Sequence, residues 1–127
     1  MSPNILLFIG VGGFFGAISR FLLSQVADST FGNFLPFGTL SVNILGSFMI
    51  GFLAMYFEQN INPEYRALFI TGFLGSLTTF SAFSLETTLL IEQHHYLKAS
   101  LHALLNVTLS VGATILAMAI FKRYFYP

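Results

Sequence analysis

Four uninterrupted apolar runs occupy most of this chain, and they restrict its fold more than any other feature. They extend from Ile5 to about Val26, from Phe37 to Phe57, from Ala67 to Ile91, and from about Leu97 to Phe121. A helix needs about 20 apolar residues to cross a bilayer core, so each run is long enough to span. Four spans use ~80 residues and leave three short connections and two ends. Strands do not fit, because the runs are continuous and about twice the ~9–11 residues of a barrel strand. The expected fold is an all-α membrane protein, a single four-helix transmembrane domain covering residues 1–127.

Composition closes the other routes. Only 8% of residues are charged, against ~25% in soluble domains, which excludes a soluble enzyme. Five basic residues balance five acidic ones, so no field draws nucleic acid. With no cysteine there is no disulfide, thiolate metal site or cysteine nucleophile. The first run has no basic leader, exceeds a secretory signal's apolar length and precedes three more spans, so it is expected to stay attached. His94 and His95 fall in a loop and, with His102, show no metal-ligand spacing.

Polar punctuation marks the helix ends. Asn62-Pro63-Glu64 reads as cap, first helical residue and first-turn acid of the third helix, and Pro36 suits the start of the second. Tyr56, Tyr65, Tyr96, Tyr124 and Tyr126 fall at predicted ends, where amphipathic rings prefer to sit. Both termini share one side with Arg66, Lys122 and Arg123; Arg20 and Lys98 lie on the other. So small a bias predicts insertion in both orientations, although one residue of excess can also suffice for one. Four helices cannot both enclose a pore and face lipid, so a solute path needs a second, antiparallel copy. Gly12-x3-Gly16, Gly13-x3-Ala17 and Ser47-x3-Gly51 offer close-packing surfaces, either between copies or within the chain.

The third run carries an anomaly from Gly72 to Ser84: Gly75, Ser76, Thr78, Thr79, Ser81 and Ser84 cluster near its midpoint. Glycine, serine and paired β-branched threonines lower helix propensity, which predicts a broken helix whose freed groups line a cavity. A kink with hydroxyls bonded to the preceding turn is the other reading. Thr39, Asn43 and Ser47 form a stripe on the second helix, and His102, Asn106, Ser110 and Thr114 one on the fourth. These mostly neutral groups suit either interhelical hydrogen bonding or a path that replaces an anion's water shell without trapping it. Phe80 and Phe83, one turn apart, present positive ring edges. Arg20, near the end of the first helix, can snorkel or lend positive potential to an entrance. Glu86, toward the far end of the third helix, is expected to stay hydrated, with proton coupling the lesser reading.

Three ordered motifs, Gly12-Gly13-x2-Gly16-Ala17-x2-Arg20, Gly38-Thr39-x3-Asn43-x2-Gly46-x4-Gly51 and Gly72-x2-Gly75-x2-Thr78-Thr79-Phe80-Ser81-x-Phe83, together resemble the bacterial Fluc (CrcB-like) fluoride channel family. The resemblance implies an antiparallel dual-topology homodimer with two fluoride pores and a central structural Na+. It matches Phe80, Phe83 and Asn43 to pore residues, with Thr39 a polar residue nearby, and sets Thr79 and Ser81 in the polar break; Ser84 and, on the fourth-helix stripe that no sharp motif anchors, Asn106 and Ser110 are also expected on the pore. The resemblance also implies Na+ held by the carbonyls of Gly75 and Thr78 and a bacterial cytoplasmic (inner) membrane, while Arg20 is expected from its position to draw anions toward a vestibule. Two departures stand out: Ala82 replaces the usual threonine between the phenylalanines, and Ser76 interrupts the glycine pattern after Gly75.

The expected activity is passive fluoride export through Asn43 and Ser/Thr donors, with no catalysis. The alternative is a small dual-topology proton-coupled drug exporter using Glu86, although such exporters carry their glutamate in the first helix. Reporters fused to the C-terminus are expected to read from both faces of the membrane; signal from one face alone overturns dual orientation.

Overall fold

A computed structural model describes residues 3–126. All regular structure in that range is helical, and four helices are long and apolar enough to span: Pro3–Phe31, Phe37–Gln59, Pro63–Glu92 and Tyr96–Phe125. The first, second and fourth are α1, α2 and α5. The third is divided at Thr78-Thr79 into α3, residues 63–77, and α4, Phe80–Glu92. Most large apolar side chains on α1, including Phe14, Phe15 and Phe21, point outward, as expected where lipid or another copy is the solvent.

The expected boundaries need one substantial correction. Residues 27–31 continue α1 beyond Val26, because their polar groups are used locally. The Ser29 hydroxyl donates to the Val26 carbonyl at 3.0 Å. Asp28 accepts the Gly38 N–H at 2.7 Å, fastening the end of α1 to the start of α2. Gly32 closes α1 with φ +87°, the left-handed cap conformation that glycine adopts at least cost. At the start of α3, Asn62 accepts the Tyr65 N–H at 3.1 Å and Pro63 occupies the first turn.

Residues 67–74 form a π-helix, a widening that propensity alone did not indicate. It ends one short turn before Thr78 and Thr79, whose backbones are extended. Both sequence readings of this segment hold at once: the helix breaks, and the Thr78 hydroxyl also bonds back to the Leu74 carbonyl at 3.1 Å. Thr79 then caps α4, its hydroxyl accepting the Ala82 N–H at 3.1 Å.

The helices pack α1 on α3, α2 on α1 and α5, and α4 on α5. Val42, Leu74 and Leu77 form the small core, ringed by Met49, Ile50, Leu53 and Phe73. The small-residue motifs serve packing within the chain. A Cβ on Gly12 would strike the Leu68 carbonyl, and one on Gly16 the Phe73 carbonyl. A Cβ on Gly51 would lie 2.6 Å from the Thr114 carbonyl, and the Thr114 hydroxyl donates to the Ser47 carbonyl at 2.8 Å. Bare backbone thus lets α1 reach α3 and α2 reach α5.

Gly12→Ala should therefore cost about 1–3 kcal/mol by forcing those backbones apart. Gly10→Ala, with nothing within 4 Å of the added carbon, should stay within about 0.5 kcal/mol. Thermal unfolding in detergent compares them; equal losses overturn the assignment of Gly12 to the α1–α3 contact.

Candidate functional site

The interruption at Thr78-Thr79 sets the site. Extended backbone at bilayer depth has an N–H and a C=O that lipid cannot satisfy. Asn43, projecting from α2, answers both: its Oδ1 accepts the Thr79 N–H at 2.8 Å, and its Nδ2 donates to the Thr79 carbonyl at 3.2 Å. The other Nδ2 hydrogen goes to Asn106 Oδ1 on α5 at 3.0 Å. Both amide hydrogens of Asn43 are therefore engaged, and its role in the single chain is to hold the break.

From Asn106 the hydrogen bonds continue along the membrane interior. Asn106 Nδ2 donates to the His102 carbonyl at 2.8 Å and faces His102 Nδ1 at 3.2 Å. His102 Nε2 lies 3.2 Å from Glu86 Oε1. Glu86 Oε2 accepts the Thr39 hydroxyl at 2.8 Å. Thr39, His102 and Asn106 are buried, and Glu86 is partly buried. The hydration expected for Glu86 is therefore incomplete: it sits at the centre of a chain joining α2, α4 and α5. Its position was detectable in principle, since Glu86 and His102 each lie eight residues from His94, where a positive φ of 63° turns the α4–α5 hairpin.

A cavity of about 390 Å³ opens beside the break. Its walls include Asn43, Ser47, Thr79, Phe83, Asn106 and Ser110, with Gly75, Thr78 and Phe80 also contributing. Ser110 Oγ is buried with no hydrogen-bond partner among the described residues. The Phe80 and Phe83 ring centroids are 5.3 Å apart, and Phe83 lies 5.5 Å from the His102 ring. Phe80 is 77% exposed, so this wall is open at the side of the chain.

A second cavity, of about 240 Å³, includes Arg20, Ser24, Thr39, Thr79 and Ala82. Thr79 belongs to both cavities, so the break forms the partition between them. Arg20 does not project freely, because its Nε donates to the Ser76 carbonyl at 3.1 Å and ties α1 to the end of α3. The Ser81 hydroxyl is 3.3 Å from the Thr79 hydroxyl. Ser81 and Ser84 are exposed on α4, and neither lines these two cavities. No group of three or more His, Cys, Asp or Glu side chains is arranged for a metal among the described residues.

Together these features define a multi-pass membrane protein organised around a broken helix and cavities of largely neutral polar groups. Residues 7–118 match the family described as CrcB-like protein, Camphor Resistance (CrcB), and the chain belongs to that family. It is 54% identical over 125 residues to a protein from a Nitratiruptor species, covering 98% of each chain. A relative from a Sulfurovum species is 51% identical, covering 98% of this chain and 99% of its own. One from Vibrio campbellii is 42% identical, with coverage of 94% and 96%. Each of these relatives is named fluoride-specific ion channel FluC.

Replacing Asn43 with alanine leaves both polar groups of Thr79 without their partner. The expected cost is about 2–5 kcal/mol, read as a lowered unfolding temperature, with faster amide exchange at Thr79 than in α2. Unchanged exchange at Thr79 overturns the clamp.

Proposed function

We propose that the chain is a passive fluoride channel that releases the anion from the cytoplasm, and that two antiparallel copies complete it. The observation that carries this reading is the open cavity at the helix break. Gly75 and Phe80 lie exposed beside non-helical backbone in the middle of a span, a surface that lipid cannot line. A second copy closes it, and antiparallel pairing accords with the nearly even distribution of basic residues. The names borne by relatives aligned over nearly the whole chain supply the ion.

Fluoride is small and strongly hydrated, so a path for it must offer hydrogen-bond donors without a charge that holds the ion in place. The unpartnered hydroxyl of Ser110 is the best placed of these donors. Asn43 and Asn106 hold the wall with amide hydrogens already engaged. Phe80 and Phe83 line the cavity, where the positive edges of such rings suit an anion. Arg20, half-committed to Ser76, keeps guanidinium donors for an anion at the mouth of the second cavity. Ser81 and Ser84, exposed on α4, contribute hydroxyls once another copy covers that face. An inside-negative potential favours exit by ~2.3 kcal/mol per 100 mV, so no pumping step is required.

The fit of a structural Na+ rests on the same break. The hydrogen bonds of this segment engage the carbonyls of Leu74, Ser76 and Thr79. Gly75 and Thr78 line the open side, where neutral oxygens suit a hard cation. Their carbonyls would hold Na+ between two copies, where it would neutralise and fasten the exposed backbone. The site belongs to a bacterial cytoplasmic membrane on this reading. A proton-coupled drug exporter is not favoured: the relatives are named as channels, and Glu86 is tied to His102 and Thr39.

Proteoliposomes holding the purified protein should release fluoride and retain chloride. Phe80→Ile and Phe83→Ile should each slow fluoride efflux about tenfold while the protein elutes at the native size. Chloride efflux at a comparable rate, or proton-linked efflux of organic cations, overturns the proposal.

A further inference from the structure

His102 is fully buried, at 0% exposure, and conduction as described above gives it no part. Its surroundings nonetheless dictate where its proton sits. The Thr79 peptide is the fixed reference, because a backbone N–H can only donate and a backbone carbonyl can only accept. Oδ1 of Asn43 must therefore face the Thr79 N–H and Nδ2 the Thr79 carbonyl. The remaining Asn43 hydrogen requires an acceptor on Asn106, which must be Oδ1. Asn106 consequently turns its NH2 toward His102, where the backbone carbonyl takes one hydrogen and ring Nδ1 faces the group at 3.2 Å. Nδ1 must be bare. The ring proton lies on Nε2 and donates to Glu86.

We infer that His102 is a positioning residue for the ion path: as the neutral Nε2–H tautomer it fixes the amides of Asn106 and Asn43, and through them the helix break. The inference rests on the fluoride-channel reading for its transport readout alone. A second ring proton would put an N–H on Nδ1 against the NH2 of Asn106. Asn106 cannot turn over without opposing the NH2 of Asn43, and Asn43 cannot turn over without opposing both groups of Thr79.

The groups facing this ring are few. Glu86 on α4 is the acidic side chain in contact with it, and Asp28 on α1 is engaged by the Gly38 N–H. The α2 neighbours, Thr39 and Asn43, do not titrate, nor does Asn106 on the same helix; Phe83 covers the ring from α4. The competent state is the neutral ring. Conduction is thus retained while the ring is neutral and lost when Nδ1 takes up a second proton.

Two measurements test this. Protein carrying His94→Gln and His95→Gln, both exposed in the α4–α5 turn, leaves His102 as its sole histidine for 15N labelling of the ring. In nanodiscs at neutral pH its spectrum should show Nε2 protonated and Nδ1 bare; a protonated Nδ1 overturns the inference. Fluoride efflux is then compared at neutral pH and at about pH 5, with equal pH on both sides and the leak of protein-free vesicles subtracted. The native chain should slow about tenfold on acidification, the change carried by one net hydrogen bond. His102→Gln should start slower and show no such pH dependence. An equal fall in both proteins overturns the inference. The ring spectrum needs no substitution at position 102, so it decides even where His102→Gln fails to fold. Absence of fluoride efflux from the native chain at neutral pH defeats the channel reading, while the spectrum still decides the tautomer.

Discussion

The Asn43 side chain closing on both polar groups of the Thr79 peptide is the contact on which this architecture rests. A span interrupted at mid-membrane leaves backbone groups with no water to bond. An orphaned buried group costs about 1–3 kcal/mol. One primary amide has an acceptor and two donors, enough to satisfy that peptide and still reach the next helix. Because Asn43 passes its last hydrogen to Asn106, α2, α4 and α5 become parts of one hydrogen-bonded assembly. Glycine contacts do the complementary work on the other side, drawing α1 against α3 until their backbones touch.

The polar residues of the interior consequently fall into two groups. Thr39, Glu86, His102, Asn106 and Asn43 are committed to one another, and their hydrogen bonds give the break a defined shape. The Ser110 hydroxyl is left without a partner among the described residues, and Ser110 lines the cavity. Rigidity and availability are thereby assigned to different residues. A pathway made only of satisfied groups has nothing for an ion; one made only of free donors collapses onto itself.

Much of this was legible in the sequence. Continuous apolar runs gave the four spans, and the cluster of threonine and serine near the third midpoint gave the interruption. The i, i+4 spacing brought out both Thr39/Asn43 and His102/Asn106. What escaped was pairing between helices. Nothing local to Asn43 distinguishes a side chain that donates to a passing ion from one that clamps a peptide 36 residues away. The hydration of Glu86 is only partial for a related reason: its place near the helix end points to water, while the α4–α5 turn returns His102 to its side. The π-helix had no sequence signal to announce it. The extension of α1 was hidden because Asp28, Ser29 and Thr30 look like a loop until Gly38 is seen to need a cap.

The order of synthesis gives the Asn43 clamp a temporal side. Asn43 is made 36 residues before Thr79 and 63 before Asn106. At ~5–20 residues per second, the first of those partners lags by about 2–7 s. During that interval α2 carries an amide whose membrane partners do not yet exist. The second span is therefore complete before the contact that secures it can form, and the clamp closes only once the third has been made.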